Sequence, residues 1–206
     1  RLVYAKGFGK ADIEQEVKTE PWHVYRLASV SKLVTAIAVM KLYEDGKLDL
    51  DEKVFGPDGI LNDNEYLKYK DKRIEDITNR HLLTHTAGWS RRSGDPMFMP
   101  HQVARKTKSR LPVEVESIIE FALSRKLNYR PGSKYSYSNL GYAILGEIIE
   151  VRSGIAYEDY VNLTILNPVG IYSIENTLKI YVLPHSWGYT YKVIEHDYSP
   201  KKPSNV

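Results

Sequence analysis

The sequence contains no cysteine. It therefore has no disulfide, no thiolate metal site and no cysteine nucleophile, and thiol usage says nothing about compartment. It also lacks a long apolar run. A membrane helix needs about 18 to 20 consecutive apolar residues, and the best stretch here, Leu33 to Met40, is bracketed by Lys32 and Lys41. That stretch reads as a buried helix, which excludes stable membrane insertion by this segment. Neither sign of charge dominates. The 29 Lys and Arg against 26 Asp and Glu leave +3 over 206 residues, a weak footprint for a nucleic-acid partner. The chain opens Arg1-Leu2-Val3-Tyr4-Ala5-Lys6-Gly7, without an initiator methionine or a signal-peptide pattern. The expectation is that the natural start, with any secretion signal, is not in this sequence.

What is present is ordinary for a globular protein, 42% hydrophobic and 27% charged. This excludes a wholly disordered chain, a collagen-like repeat and a small disulfide scaffold. The length suffices for a real core. Residues 2–9 read as a strand ending in a Gly-Phe-Gly turn. Helical patterns follow over 29–43, over 77–85 with Thr78 as cap, and over 113–125, 139–151 and 157–166. Apolar residues lie on most faces of the first, which predicts full burial. Residues 89–111, basic and with Trp89, Met97, Phe98 and Met99 among them, read as a long irregular loop. There is no internal repeat.

Two short patterns can carry chemistry. Ser29-x-x-Lys32 places a hydroxyl and an amine one turn apart on a helix, so the amine reaches the hydroxyl. Serine is a weak nucleophile until a neighbouring base takes its proton, and a helix start favours the developing negative charge. The plainer alternative is a helix cap beside a solvated Lys32, and Ser199-Pro200-Lys201-Lys202 matches the same pattern in a polar tail. Tyr137-Ser138-Asn139, just before an apolar helix, offers a phenol that can exchange a proton and an amide that can hold a carbonyl or an ammonium. The plainer alternative there is a turn with an Asn cap.

Taken jointly and in order, these residues resemble the serine beta-lactamases and penicillin-binding proteins, in the class C beta-lactamase-like branch with its esterases and D-amino-acid peptidases. The resemblance rests on Leu27-Ala28-Ser29-Val30-Ser31-Lys32, Asp45-Gly46-Lys47-Leu48-Asp49-Leu50-Asp51, and His81-Leu82-Leu83-Thr84-His85-Thr86-Ala87-Gly88. The last piece is Arg130-Pro131-Gly132-Ser133 leading through Tyr135-Ser136-Tyr137-Ser138-Asn139 to Tyr142. It implies an α+β, beta-lactamase/transpeptidase-like fold, an antiparallel sheet flanked by helices beside a mostly helical region. The fold is expected only in part. Residues 1–206 would be one incomplete domain: 1–26 N-terminal strands, 27–170 the helical region with both motifs, 171–206 irregular and lacking the C-terminal strands.

By the same resemblance Ser29 is the nucleophile, Lys32 its activating partner, Tyr137 the proton shuttle and Asn139 the group that orients substrate and Lys32. Tyr135 also precedes a Ser-x-Ser stretch, but the family register points to Tyr137. The Ser29 N–H would be one of two oxyanion donors. No cofactor or metal is implied. His81 and His85, four apart on the predicted helix, invite a metal reading, but the resemblance makes them packing residues. The family's third motif, Lys-Thr-Gly or His-x-Gly, has no suitable match; His185-Ser186-Trp187-Gly188 is one residue too long.

The expected function is a serine hydrolase forming an acyl-enzyme on Ser29 and acting on a small-molecule or peptide substrate: a beta-lactam, a D-amino-acid peptide or an ester. The 206-residue chain alone is expected to be inactive. An extracytoplasmic location is implied by the family only. The alternative is a non-catalytic homologue that binds peptide or cell-wall fragments. A basic binding module using Arg91, Arg92, Arg105, Lys106, Lys108 and Arg110 is the weakest reading, since such runs are usually solvated faces. Trp89, Met97, Phe98 and Met99 are equally a pocket rim or loop packing.

Overall fold

A computed structural model of the chain describes residues 3–23 and 28–171. Arg1, Leu2 and Leu27, and residues 172–206 with their expected irregular structure, His185 to Gly188 and Ser199 to Lys202, lie outside the described residues. Six α-helices among the described residues carry the core: α1 (Ser31–Glu44), α2 (Asn79–Leu83), α3 (Pro100–Thr107), α4 (Val115–Leu123), α5 (Asn139–Ser153) and α6 (Tyr157–Val161). A two-stranded antiparallel sheet, β1 (Lys10–Asp12) and β2 (Val17–Lys18), lies near the N-terminus with Lys10 opposite Lys18.

The strand expected over 2–9 is displaced. The hairpin forms just beyond it, and Val3, Tyr4 and Phe8 are 90%, 70% and 74% exposed. An apolar stretch gains nothing from strand geometry without a second surface to cover it. The loop expected over 89–111 is also corrected. It contains single 3-10 turns at Arg91–Ser93 and Pro96–Phe98 and then α3. Pro100 opens α3, where its missing N–H costs nothing. Val103 is the residue of α3 that is fully buried, and α3 packs on α4.

Helix α5 is the central element and packs against α1, α2, α4 and α6. Ser138 caps its start by accepting from the Gly141 N–H at 3.1 Å, and Gly154 ends it in the left-handed region at φ 75°. Full burial of α1 does not hold. Ser31, Thr35, Ala38, Val39 and Leu42 form its buried face, whereas Leu33, Ile37 and Met40 are exposed.

Backbone hydrogen bonds join the segments that carry the motifs. Residues 45–51 dock on α2: the Arg80 N–H donates to the Leu50 carbonyl at 2.7 Å and the Asn79 amide to the Asp49 carbonyl at 2.7 Å. Segments 81–88 and 128–138 run side by side. The Asn128 and Tyr129 N–H groups donate to the Gly88 carbonyl, the Gly132 N–H to Thr86, and the Ser136 N–H to His85 at 2.8 Å. Gly88 has φ 107°, and a Cβ there would lie 2.5 Å from the Tyr129 carbonyl oxygen. This pairing brings Tyr137 and Asn139 to the start of α1.

Candidate active site

Ser29 sits in a 3-10 turn, Ala28–Val30, that runs directly into α1. The helix proper begins two residues later than the expected start at Ser29, but Ser29 and Lys32 remain one turn apart. Ala28 has φ 48°, a region unfavourable for a residue with a Cβ. The Ser31 hydroxyl donates to the Ala28 carbonyl at 2.8 Å and closes the turn. The backbone before Ser29 is thus held in an uncommon conformation by its own neighbour.

Lys32 is half-buried, and its ammonium donates to Asn139 Oδ1 at 2.8 Å. The Lys32 Nζ lies 5.1 Å from the centre of the Tyr137 ring and 5.6 Å from that of Tyr142. From the other side, the Tyr137 hydroxyl donates to Ser29 Oγ at 2.7 Å. Because Ser138 is the α5 cap, the Asn139 side chain is not engaged in capping. Its amide is left to reach Lys32 through Oδ1 and Asp95 through Nδ2, the latter at 2.7 Å. Ser29, Lys32, Tyr137 and Asn139 therefore meet. Tyr135 does not join them; it is 64% exposed and its ring meets His85 edge-on.

Burial pushes the Tyr137 phenol up, but its contacts with Ser29 and Lys32, and the charges of Lys32 and Arg91, outweigh this and leave it below its ordinary value. The Arg91 guanidinium carbon is 6.0 Å from the ring centre. A neutral Tyr137 donates to Ser29. Once ionised, it can instead accept the serine proton. The nearby cations that favour the phenolate make that reversal easier.

His85 supports this arrangement from behind. Its Nδ1 accepts from the Ser138 N–H at 3.2 Å, and its ring lies 4.6 Å from Tyr137 and 5.1 Å from Tyr142, centre to centre. Burial, then the charge of Lys32, holds its pKa below the ordinary value, so the ring is neutral and can accept. His81 and His85 do not share a helix face. Helix α2 ends at Leu83, and His85 follows it with φ 57°. His81 Nδ1 accepts from the Thr78 N–H at 3.3 Å as half of a capping box.

A small recess beside Tyr137 is lined by Trp89, Arg91, Asp95, Pro96, Ser138 and Leu140, among others. Of the four residues weighed as a pocket rim, Trp89 lines this recess, Met97 is 5% exposed in the core and Phe98 is 64% exposed. Met99 packs its sulfur over Gly94. Arg92, Arg105, Lys106, Lys108 and Arg110 are all exposed. Asp95 carried no signal in the sequence beyond that of a turn-forming residue before proline.

A beta-lactamase family profile matches residues 1–193. Penicillin-binding protein 4* of Bacillus subtilis (strain 168) is 28% identical over 96% of this chain and 41% of its own length. Among solved structures, the octameric penicillin-binding protein homologue from Pyrococcus abyssi is 35% identical, with a TM-score of 0.62 over 82% of this chain and 36% of its own. EstCE1, a hydrolase with promiscuous acyltransferase activity, is 27% identical, with a TM-score of 0.62 over 84% of this chain and 44% of its own. The chain spans less than half the length of each of these proteins.

Proposed function

Because the chain belongs to the beta-lactamase family, we propose that it carries the nucleophile half of a serine acyl hydrolase that forms an acyl-enzyme on Ser29. The described residues hold part of the beta-lactamase/transpeptidase-like fold, mostly helical with a small antiparallel sheet. The observation that carries the reading is the contact of Tyr137 with Ser29 Oγ at 2.7 Å, beside a Lys32 held by Asn139 at 2.8 Å.

With Tyr137 ionised, Ser29 Oγ attacks the carbonyl carbon of an amide, ester or beta-lactam, and its proton passes to the Tyr137 phenolate. The carbonyl π electrons move to oxygen, where the Ser29 N–H can donate. Collapse expels the amine or alcohol, which takes the proton back from Tyr137, and the acyl group stays on Ser29. Water then attacks the ester with Tyr137 as base, releasing the acid and restoring the hydroxyl. Lys32 stabilises the phenolate whenever Tyr137 is ionised, as its distance of 5.1 Å from the ring allows. The penicillin-binding relatives support a beta-lactam or peptide substrate, and the acyltransferase activity named for EstCE1 supports acyl transfer. An extracytoplasmic location belongs to the same reading.

The test is to incubate the natural full-length protein with a fluorescent penicillin or an activated ester and to map adducts by mass spectrometry. An acyl mass on the Ser29 peptide, lost in Ser29→Ala, is the expected result. Absence of an adduct with every acyl donor overturns the proposal.

A further inference from the structure

A primary amide has a donor end and an acceptor end, and nothing in Asn139 itself decides which faces Lys32. An ammonium only donates, so the carbonyl end must face it. An ionised carboxylate only accepts. Asp95 Oδ2 takes the Asn139 Nδ2–H at 2.7 Å, on the side away from Lys32, and Asn139 Oδ1 takes the Lys32 proton at 2.8 Å. The reversed amide would set a donor against the ammonium and an acceptor against the carboxylate, losing both bonds.

Asp95 is itself fixed. Its Oδ1 accepts from the Met97 N–H at 3.1 Å, capping the turn Pro96–Phe98, whose Pro96 and Met97 are buried. We infer that Asp95 is a positioning residue that locks the Asn139 amide with its oxygen on Lys32, tying the Pro96–Phe98 turn to the catalytic amine. This inference rests on the acyl-enzyme reading above.

The test is a double-mutant cycle on the full-length protein, following acylation by an activated nitrophenyl ester and by a fluorescent penicillin. Asp95→Asn is the informative change, because asparagine caps a turn as well as aspartate does but no longer dictates the amide's orientation. It is expected to lower the acylation rate about 10-fold, the scale of a small misplacement at a reacting group, while KM and the melting temperature hardly move. In an Asn139→Ala background the same change should cost less than about 2-fold, because the partner it acts through is gone. No loss in the parent background, or equal losses in both, overturns the role of Asp95 while the Ser29 adduct still stands. No Ser29 adduct in the unmodified protein overturns both inferences.

Discussion

On α1, Thr35, Ala38, Val39 and Leu42 face α5 and α6 and are at most 5% exposed, whereas Leu33, Ile37 and Met40 on the opposite side are 63%, 44% and 40% exposed. Both faces are about equally apolar in sequence. The difference is that one has a partner within the described residues and the other does not. Periodicity tells which residues share a face; burial needs a complementary surface from elsewhere in the chain. The candidate cluster of Ser29, Lys32, Tyr137 and Asn139 lies at the N-terminal end of the same helix. There the inner face meets the start of α5, through Lys32 and Asn139.

The inner face is the more sensitive to truncation. Leu42→Ala removes a fully buried side chain between packed helices and should lower unfolding free energy by about 2–5 kcal/mol, measured by urea denaturation of the chain. A loss below about 1 kcal/mol would mean that the α1–α5 contact is loose. Thr35→Val is the subtler probe. The Thr35 hydroxyl bonds the Tyr157 hydroxyl at 2.7 Å, and Tyr157 is 8% exposed. Valine keeps the shape but leaves a buried phenol unpartnered, for an expected cost of about 1–3 kcal/mol.

How far the sequence reveals this molecule depends on the range of the interaction concerned. The Thr78 cap of α2 and the extent of α5 are legible because both are local: a hydroxyl three residues before the N–H that it accepts, and a helical apolar period ending at glycine. Ser29, Lys32, Tyr137 and Asn139 could be named through resemblance, but their meeting is not local. It depends on the hydrogen bonds between residues 81–88 and 128–138. Helix α3 escapes a pattern reading because Pro-His-Gln-Val-Ala-Arg-Lys-Thr holds one fully buried residue and takes its support from α4. Asp95 acts on a partner 44 residues away, and no spacing rule links a turn aspartate to that amide.

Glu147, on α5, is a half-buried ionisable group. Burial, with Glu116 and Glu150 adding like charge, pushes its carboxyl up to about 7. The folded state therefore binds this proton more tightly than the unfolded state does. Its contribution is complete below the ordinary carboxylate range and is lost as pH rises through about 7. Glu147→Gln should leave stability nearly unchanged at acid pH and raise it by about 1–2 kcal/mol at mildly alkaline pH. Melting curves across pH check this, and an equal effect at all pH values would refute the burial of an ionisable carboxyl.

The smallest effect is expected on the outer face. Leu33 is 63% exposed, and glutamine is nearly as good a helix former as leucine. Leu33→Gln should therefore change the stability of the 206-residue chain by no more than about 0.5 kcal/mol, as for other surface positions. Paired with Leu42→Ala on the same helix and read by the same denaturation curve, it isolates the presence of a partner from hydrophobicity itself. The same substitution in the full-length protein asks a second question. A loss there of about 2 kcal/mol or more, absent from the shorter chain, would mean that another part of the protein covers this face. Equal, small effects in both would leave the face open to solvent beside Ser29.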